Sequence, residues 1–330
     1  MEAKNISLAS LASMEDYDPD SMPVEKARKL IKQFLSPVTE TETVKIAHAF
    51  HRTLATDLLS PMNVPPHDYS SMDGYAVRHA DLTGSINKLN KIGTAFAGKG
   101  FEGQVGAGEC VRIMTGALIP QGSDTIVIQE HVKVEGDTIE IGAGYKRGQN
   151  IRLVGEDIEQ GALILSRGQL IRPAEMGLLA SLGFAEVSVY RKLKIAIFST
   201  GDELIQPGET LGSGQIYNSN RYTLIGLLTE LGVEIIDMGN ICDDKNAVRA
   251  ALLRASSSAD VIVTSGGVSV GDADYIKELL AEVGEVVFWK MAMKPGRPLA
   301  YGKVGPCHFF GLPGNPVAVM VTFLDRKSVV

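Results

Sequence analysis

Residues 264–275, Thr-Ser-Gly-Gly-Val-Ser-Val-Gly-Asp-Ala-Asp-Tyr, form a glycine-rich turn after the apolar run 260–263 and before a segment of helical spacing at 276–280. Such a turn collects free backbone N–H groups at the positive end of a helix, which suits phosphates and other oxyanions. Asp272 and Asp274 lie in the same turn. Carboxylates beside a phosphate cradle point to a divalent cation between them. Ser199, Thr200, Gly201, Asp202 and Glu203 follow another apolar run, at a strand end where ligands of α/β sheets sit. Residues 290–298 concentrate Lys290, Lys294 and Arg297 around Pro295-Gly296 in a chain of net charge −7. Anion binding accounts for that cluster better than a solvated basic loop does. Pro313-Gly314-Asn315-Pro316 is a further rigid turn that lets a ligand approach backbone closely.

The first half of the chain carries separate candidates. Asp73, in Ser71-Met72-Asp73-Gly74-Tyr75, is either part of an ordinary Asp-Gly turn or a carboxylate aimed at a cation or substrate. Thr115 and Gly116 end a run beginning at Arg112, as a plain strand end or as a hydroxyl and N–H facing an anion. Arg152 precedes Glu156 and Asp157, which reads either as a surface ion pair of little energetic weight or as the lining of a site at a boundary. No Ser-His-Asp or Cys-His arrangement is supported by the placement of the six histidines.

These loops need elements to hold them. Residues 1–20 read as a flexible acidic leader, and a helix follows, with Ser21 as its cap and Val24, Ala27, Leu30, Ile31 and Phe34 as its apolar stripe. From about 41 to 183 short apolar runs alternate with glycine-rich stretches such as 93–100, 103–108 and 142–148, a β-rich pattern with helices expected only at 48–57 and 173–182. After 189 the rhythm becomes strand, turn, helix. Strands are expected at 193–198, 233–238, 261–263, 286–289 and 308–310, and helices at 221–231, 246–255 and 275–283. That alternation predicts parallel strands with helices on both faces, and brings the loops 199–203, 243–244, 265–274 and 290–297 to one rim.

Composition narrows the partners. With 330 residues the chain is long enough for two or three domains, and 22% charged and 45% hydrophobic residues are an ordinary globular balance. The negative net charge argues against a broad nucleic-acid surface. Cys110, Cys242 and Cys307 are too dispersed for a disulfide framework or zinc site, which fits a reducing, cytoplasmic setting. No apolar stretch is long enough to span a bilayer, and no signal-peptide pattern is present.

Met72-Asp73-Gly74-Tyr75-Ala76, residues 112–117, Gly155-Glu156-Asp157, residues 199–204, residues 265–271, Lys294-Pro295-Gly296 and residues 312–316 occur in one order. Together they resemble the molybdopterin molybdenumtransferase family, which includes MoeA of bacteria and the E domain of gephyrin. The resemblance runs from about Ser21 to Leu324. It implies a multi-domain α/β plus β-rich protein. A three-layer molybdopterin-binding α/β domain would take 21–41 and 187–324, a small connecting domain 42–60 and 161–186, and an inserted β-rich domain 61–160. Family members continue into a C-terminal β-barrel, so truncation is expected here, with 325–330 a non-native tail.

The resemblance also implies an elongated homodimer, with a site between the α/β domain of one subunit and the inserted region of the other. The reaction would take adenylylated molybdopterin and molybdate, with Mg2+, and release AMP. Tungstate has the same charge and nearly the same size, so these residue types suit either oxyanion. By this resemblance Asp73, Glu203 and Asp274 bind metal and act in catalysis with Lys290 and Lys294. Thr115, Asp157, Thr200, Asp243, Gly266, Gly267, Ser269, Arg297, Pro313 and Pro316 bind substrate. Contact with the molybdopterin adenylyltransferase that makes the substrate is expected. That enzyme, which shares the Gly-Gly-Val-Ser loop, is one alternative reading. A gephyrin-like scaffold is the other.

Overall fold

The computed structural model describes residues 22–267, 275–293, 295–296 and 298–326. The leader, Ser21, Ser269, Asp272, Asp274, Lys294, Arg297 and residues 327–330 therefore lie outside the described residues. The chain divides into two compact units, Thr43–Val189 and Met1–Glu42 with Tyr190–Val330. Helix α1 (Val24–Phe34) belongs to the second unit, and Pro23 occupies its cap position without a side-chain hydrogen bond.

The unit Thr43–Val189 is built on strands β1 (Gly74–Val77), β2 (Ile86–Ala95), β3 (Glu109–Ile113), β4 (Thr125–Ile128), β5 (Val132–Glu135) and β6 (Thr138–Gly142). They form one sheet in the order β4-β1-β3-β2-β6-β5, in which β2 and β3 are parallel and the other pairs antiparallel. Period-two alternation sorts its side chains. Tyr75, Val77, Cys110 and Val127 enter one apolar cluster, and Ala76, Val111, Ile113 and Ile126 the other.

A third cluster joins Ala49 and Leu54 to Leu165, Ile171, Val187 and Val189, with Leu179 from α2 (Pro173–Ser181). The helix expected at 48–57 is absent. Only a 3₁₀ turn, Ile46–His48, forms there. The N–H groups of His51 and Leu54 donate instead to the carbonyls of Ile171 and Gln169, each 2.9 Å away, so long-range pairing takes the backbone groups a helix would use.

The other unit carries β7 (Lys194–Thr200), β8 (Glu234–Ile241), β9 (Val261–Ser265), β10 (Gly284–Lys290), β11 (Pro298–Val304) and β12 (Cys307–Leu312). Its further helices are α3 (Ser219–Glu230), α4 (Lys245–Ser256), α5 (Tyr275–Val283) and α6 (Pro316–Arg326). Strand order is β8-β7-β9-β12-β11-β10. Ile195, Ile197, Val261 and Val263 pack with residues of α1, α3 and α6, whereas Ala196, Phe198 and Ile262 pack with residues of α4 and α5. The result is the expected three-layer α/β arrangement, and burial on both faces explains the unbroken apolar runs of β7 and β9.

The expectation of parallel strands holds for β7, β8, β9 and β12 and is corrected at β11. β11 is antiparallel to both β10 and β12. Only Gly305 and Pro306 join β11 to β12, too short a link for the crossover a parallel pair needs. Strand β11 is not among the strands expected from the sequence; Pro298 opens it, and proline is tolerated as the first residue of a strand. Two reversals restore direction, so β10 runs parallel to β12. The carboxyl ends of β7, β8, β9, β10 and β12 therefore share one edge of the sheet.

His308, on β12, is partly buried, and its Nδ1 lies 3.1 Å from the Tyr301 hydroxyl. Burial, with the Lys303 charge adding to it, pushes the imidazole down to about 4. Burial also raises the Tyr301 phenol. A group whose folded pKa is depressed contributes full stability above its unfolded pKa, about 6.5, and loses it as pH falls. Urea unfolding should show roughly 2–3 kcal/mol lost between about pH 7 and pH 4, most of it abolished in His308→Gln.

Candidate functional site

The rim of the second unit is assembled from strand ends. β7 stops at Thr200, which is 5% exposed. β9 stops at Ser265, and Gly266 and Gly267 then turn with φ of +89° and +65°, a region that excludes most side chains. A Cβ on Gly266 would fall 2.7 Å from the Thr200 carbonyl oxygen. One on Gly267 would fall 2.7 Å from Thr200 Oγ1 and 2.7 Å from Ile276 Cδ1. Both glycines are needed for the turn to press onto Thr200. The structure thus brings together Thr200, Gly266 and Gly267.

Acidic side chains gather beside them. The Asp243 N–H donates to Asp202 Oδ1 at 3.2 Å, which joins the loops after β7 and β8. Partial desolvation, then the Asp202 and Glu203 charges, raise Asp243 above the ordinary carboxylate range. Among the described residues no cation pairs with Asp202, Glu203 or Asp243, and no three His, Cys, Asp or Glu side chains form a ready-made metal cage. This set still fits Mg2+, which is commonly held by one or two carboxylates while substrate phosphates and water complete its shell.

The remaining rim predictions divide. Pro313 follows β12 and is buried. Pro316 is the first residue of α6, and Asn315 Oδ1 caps that helix by accepting from Val317 N and Ala318 N at 3.0 and 3.3 Å. Lys290 ends β10, opposite Pro298. Its backbone lies three strand positions from β9, about 14 Å at the usual spacing. Sequence reasoning omitted Asn218, Asn220 and Asn240 from the site. Asn240 Nδ2 donates to the carbonyls of Gly201 and Leu204 at 3.1 and 3.2 Å and shapes the acidic loop. No local signal marked it, because β8 also carries Glu234 and Asp237.

In the unit Thr43–Val189, Asp73 Oδ1 accepts from both Thr115 N and Thr115 Oγ1 at 2.7 Å. Those two bonds, with the Arg112 charge, hold Asp73 below its ordinary pKa. The simple Asp-Gly turn is not what forms, because Gly74 already lies in β1. Arg112 was passed over as a site residue. It donates to the Tyr75 hydroxyl and to Gln129 Oε1, and sits 5.3 Å from the Tyr75 ring centroid. Asp157 forms an ion pair with Arg152, both half-exposed, which raises Arg152.

Comparison with known proteins accounts for both sets of motifs. Residues 22–183 match the model described as MoeA N-terminal region (domain I and II), and residues 196–326 match the probable molybdopterin binding domain. A molybdopterin molybdenumtransferase of Haemophilus influenzae is 47% identical over 304 residues, covering 92% of this chain and 75% of that protein. The chain belongs to the molybdopterin molybdenumtransferase family. A family member from Nostoc is 38% identical over 86% of this chain and 67% of its own length. The crystal structure of the molybdopterin biosynthesis MoeA protein of Pyrococcus horikoshii superposes with a TM-score of 0.79 at 31% identity, covering 92% of this chain and 77% of that one. Membership of the family agrees with the combination of a three-layer α/β unit and a β-rich unit.

Proposed function

We propose that this chain is a transferase that inserts molybdenum into adenylylated molybdopterin and releases AMP, the last step of molybdenum cofactor synthesis. The observation that carries this reading is the rim of the α/β unit. There a Gly266-Gly267 turn lies against Thr200 beside the carboxylates of Asp202, Glu203 and Asp243. The Gly266 N–H already donates to the Leu312 carbonyl at 3.2 Å, so in this reading the other N–H groups of the turn would hold a phosphate. The carboxylates would hold Mg2+, which supplies charge neutralisation for cleavage of the phosphoanhydride. Asp274 is assigned to the same cation, and Ser269 to the phosphate.

Lys290, Lys294 and Arg297 are assigned to phosphate and molybdate, a tetrahedral dianion matched by lysine and arginine donors. Asp73, oriented by Thr115, is assigned as an acidic group acting on metal or substrate. Asp157, Pro313 and Pro316 complete the substrate contacts in this reading. A homodimer, contact with the adenylyltransferase and a cytoplasmic location go with it. No helix among the described residues is long and apolar enough to cross a membrane.

The test is incubation with adenylylated molybdopterin, molybdate and Mg2+, following AMP and molybdenum-loaded cofactor together. Stoichiometric appearance of both supports the transferase. Binding of the nucleotide without either product would move the chain to a binding or scaffold role.

A further inference from the structure

Buried polar atoms without partners concentrate at the same rim. Thr200 Oγ1, Asn218 Nδ2, Asn220 Oδ1, Asn240 Oδ1 and Thr264 Oγ1 all lack hydrogen-bond partners among the described residues. Leaving such a group unpaired costs about 1–3 kcal/mol, so a concentration of them at one sheet edge calls for an occupant.

Asn218 and Asn220 form a distinct pair. Asn218 is 1% and Asn220 8% exposed, at the start of the 12-residue α3. Their amide orientations are fixed by backbone partners. Asn218 Oδ1 accepts from Arg221 N at 3.2 Å, and Ser199 Oγ lies 3.3 Å from it, which leaves Nδ2 as an unused donor. Asn220 Nδ2 donates to the Gly314 carbonyl and to Ser265 Oγ, both at 2.8 Å, which leaves Oδ1 as an unused acceptor. Ser199 and Ser265 are register partners across β7 and β9, so the two amides sit over neighbouring strand ends.

A phosphate or molybdate oxygen would be repelled by Asn220 Oδ1 and carries no proton to give it. An uncharged donor and an uncharged acceptor held over neighbouring strand ends match a ring edge that offers one of each. We propose that Asn218 and Asn220 bind a donor–acceptor edge of a fused nitrogen heterocycle of the substrate. This rests on the transferase reading, whose substrate contains two such heterocycles, the pterin and the adenine.

The test uses the full chain, 6-methylpterin and AMP as separate probes, and two variants, Asn218→Ser and Asn218→Asp. Both retain an oxygen able to cap α3, and both lack Nδ2. Titration calorimetry should show one probe weakened about tenfold in both variants and the other unchanged, with the melting temperature preserved. The weakened probe names the heterocycle. Unchanged affinity for both probes overturns the proposal, since the atoms would then be satisfied by water alone. Equal loss of both probes, or loss in Asn218→Asp only, also overturns it, as general damage or added charge. AMP release by the unmodified chain tests the transferase reading separately, so the two can fail independently.

Discussion

Asp243→Asn is expected to slow AMP release from adenylylated molybdopterin by about 100-fold and to leave the protein at least as stable as before. The two effects come from one cause. Asp243 is partly desolvated and faces the charges of Asp202 and Glu203, which raise its pKa. An acid whose folded pKa is raised loses stability as pH climbs through that value, because the folded state resists ionisation. Removing the charge relieves the repulsion and weakens the cation site, which keeps Asp202 and Glu203. Mg2+ should therefore raise the melting temperature of the unmodified chain more than that of Asp243→Asn. Single-turnover AMP release with thermal melts at neutral pH, with and without Mg2+, makes the check. A fully active variant would exclude Asp243 from the chemistry.

The second large effect is structural. Gly74→Ala should destabilise the protein by about 3 kcal/mol. Gly74 opens β1, which is hydrogen-bonded on both sides, to β3 and β4. A Cβ there would lie 2.0 Å from the carbonyl oxygen of Val127. Backbone in the middle of a sheet cannot yield as a flexible side-chain tip would. Gly142→Ala is the control, because nothing lies within 4 Å of its added Cβ, and it should change stability by less than about 0.5 kcal/mol. Urea denaturation of both variants checks this. Equal stability of the two would mean that β1 can move away from β4.

The two predictions draw on different kinds of information. The acidic loop was visible in Ser199-Thr200-Gly201-Asp202-Glu203 because it follows an apolar run and combines residue types that a structural turn does not need. The cost at Gly74 was not visible. Asp-Gly reads locally as a turn, and only the arrival of Val127 from 53 positions further along turns that glycine into a requirement.

The sequence by itself determined the elements whose causes are local. Apolar runs with β-branched residues became β7 and β9, the residues before Gly232 became α3, and Asn315-Pro316 began α6. It also determined the family, since seven motifs in one order constrain far more than any one alone. Tertiary structure decided what depends on distant partners. It made β11 an antiparallel inner strand, took the backbone of residues 48–57 away from a helix, and directed Asn218 and Asn220 to Ser199, Ser265 and Gly314. The physical reason is that hydrogen-bond satisfaction and close packing are settled between segments far apart in the chain. Local residue types and spacing do not carry that information.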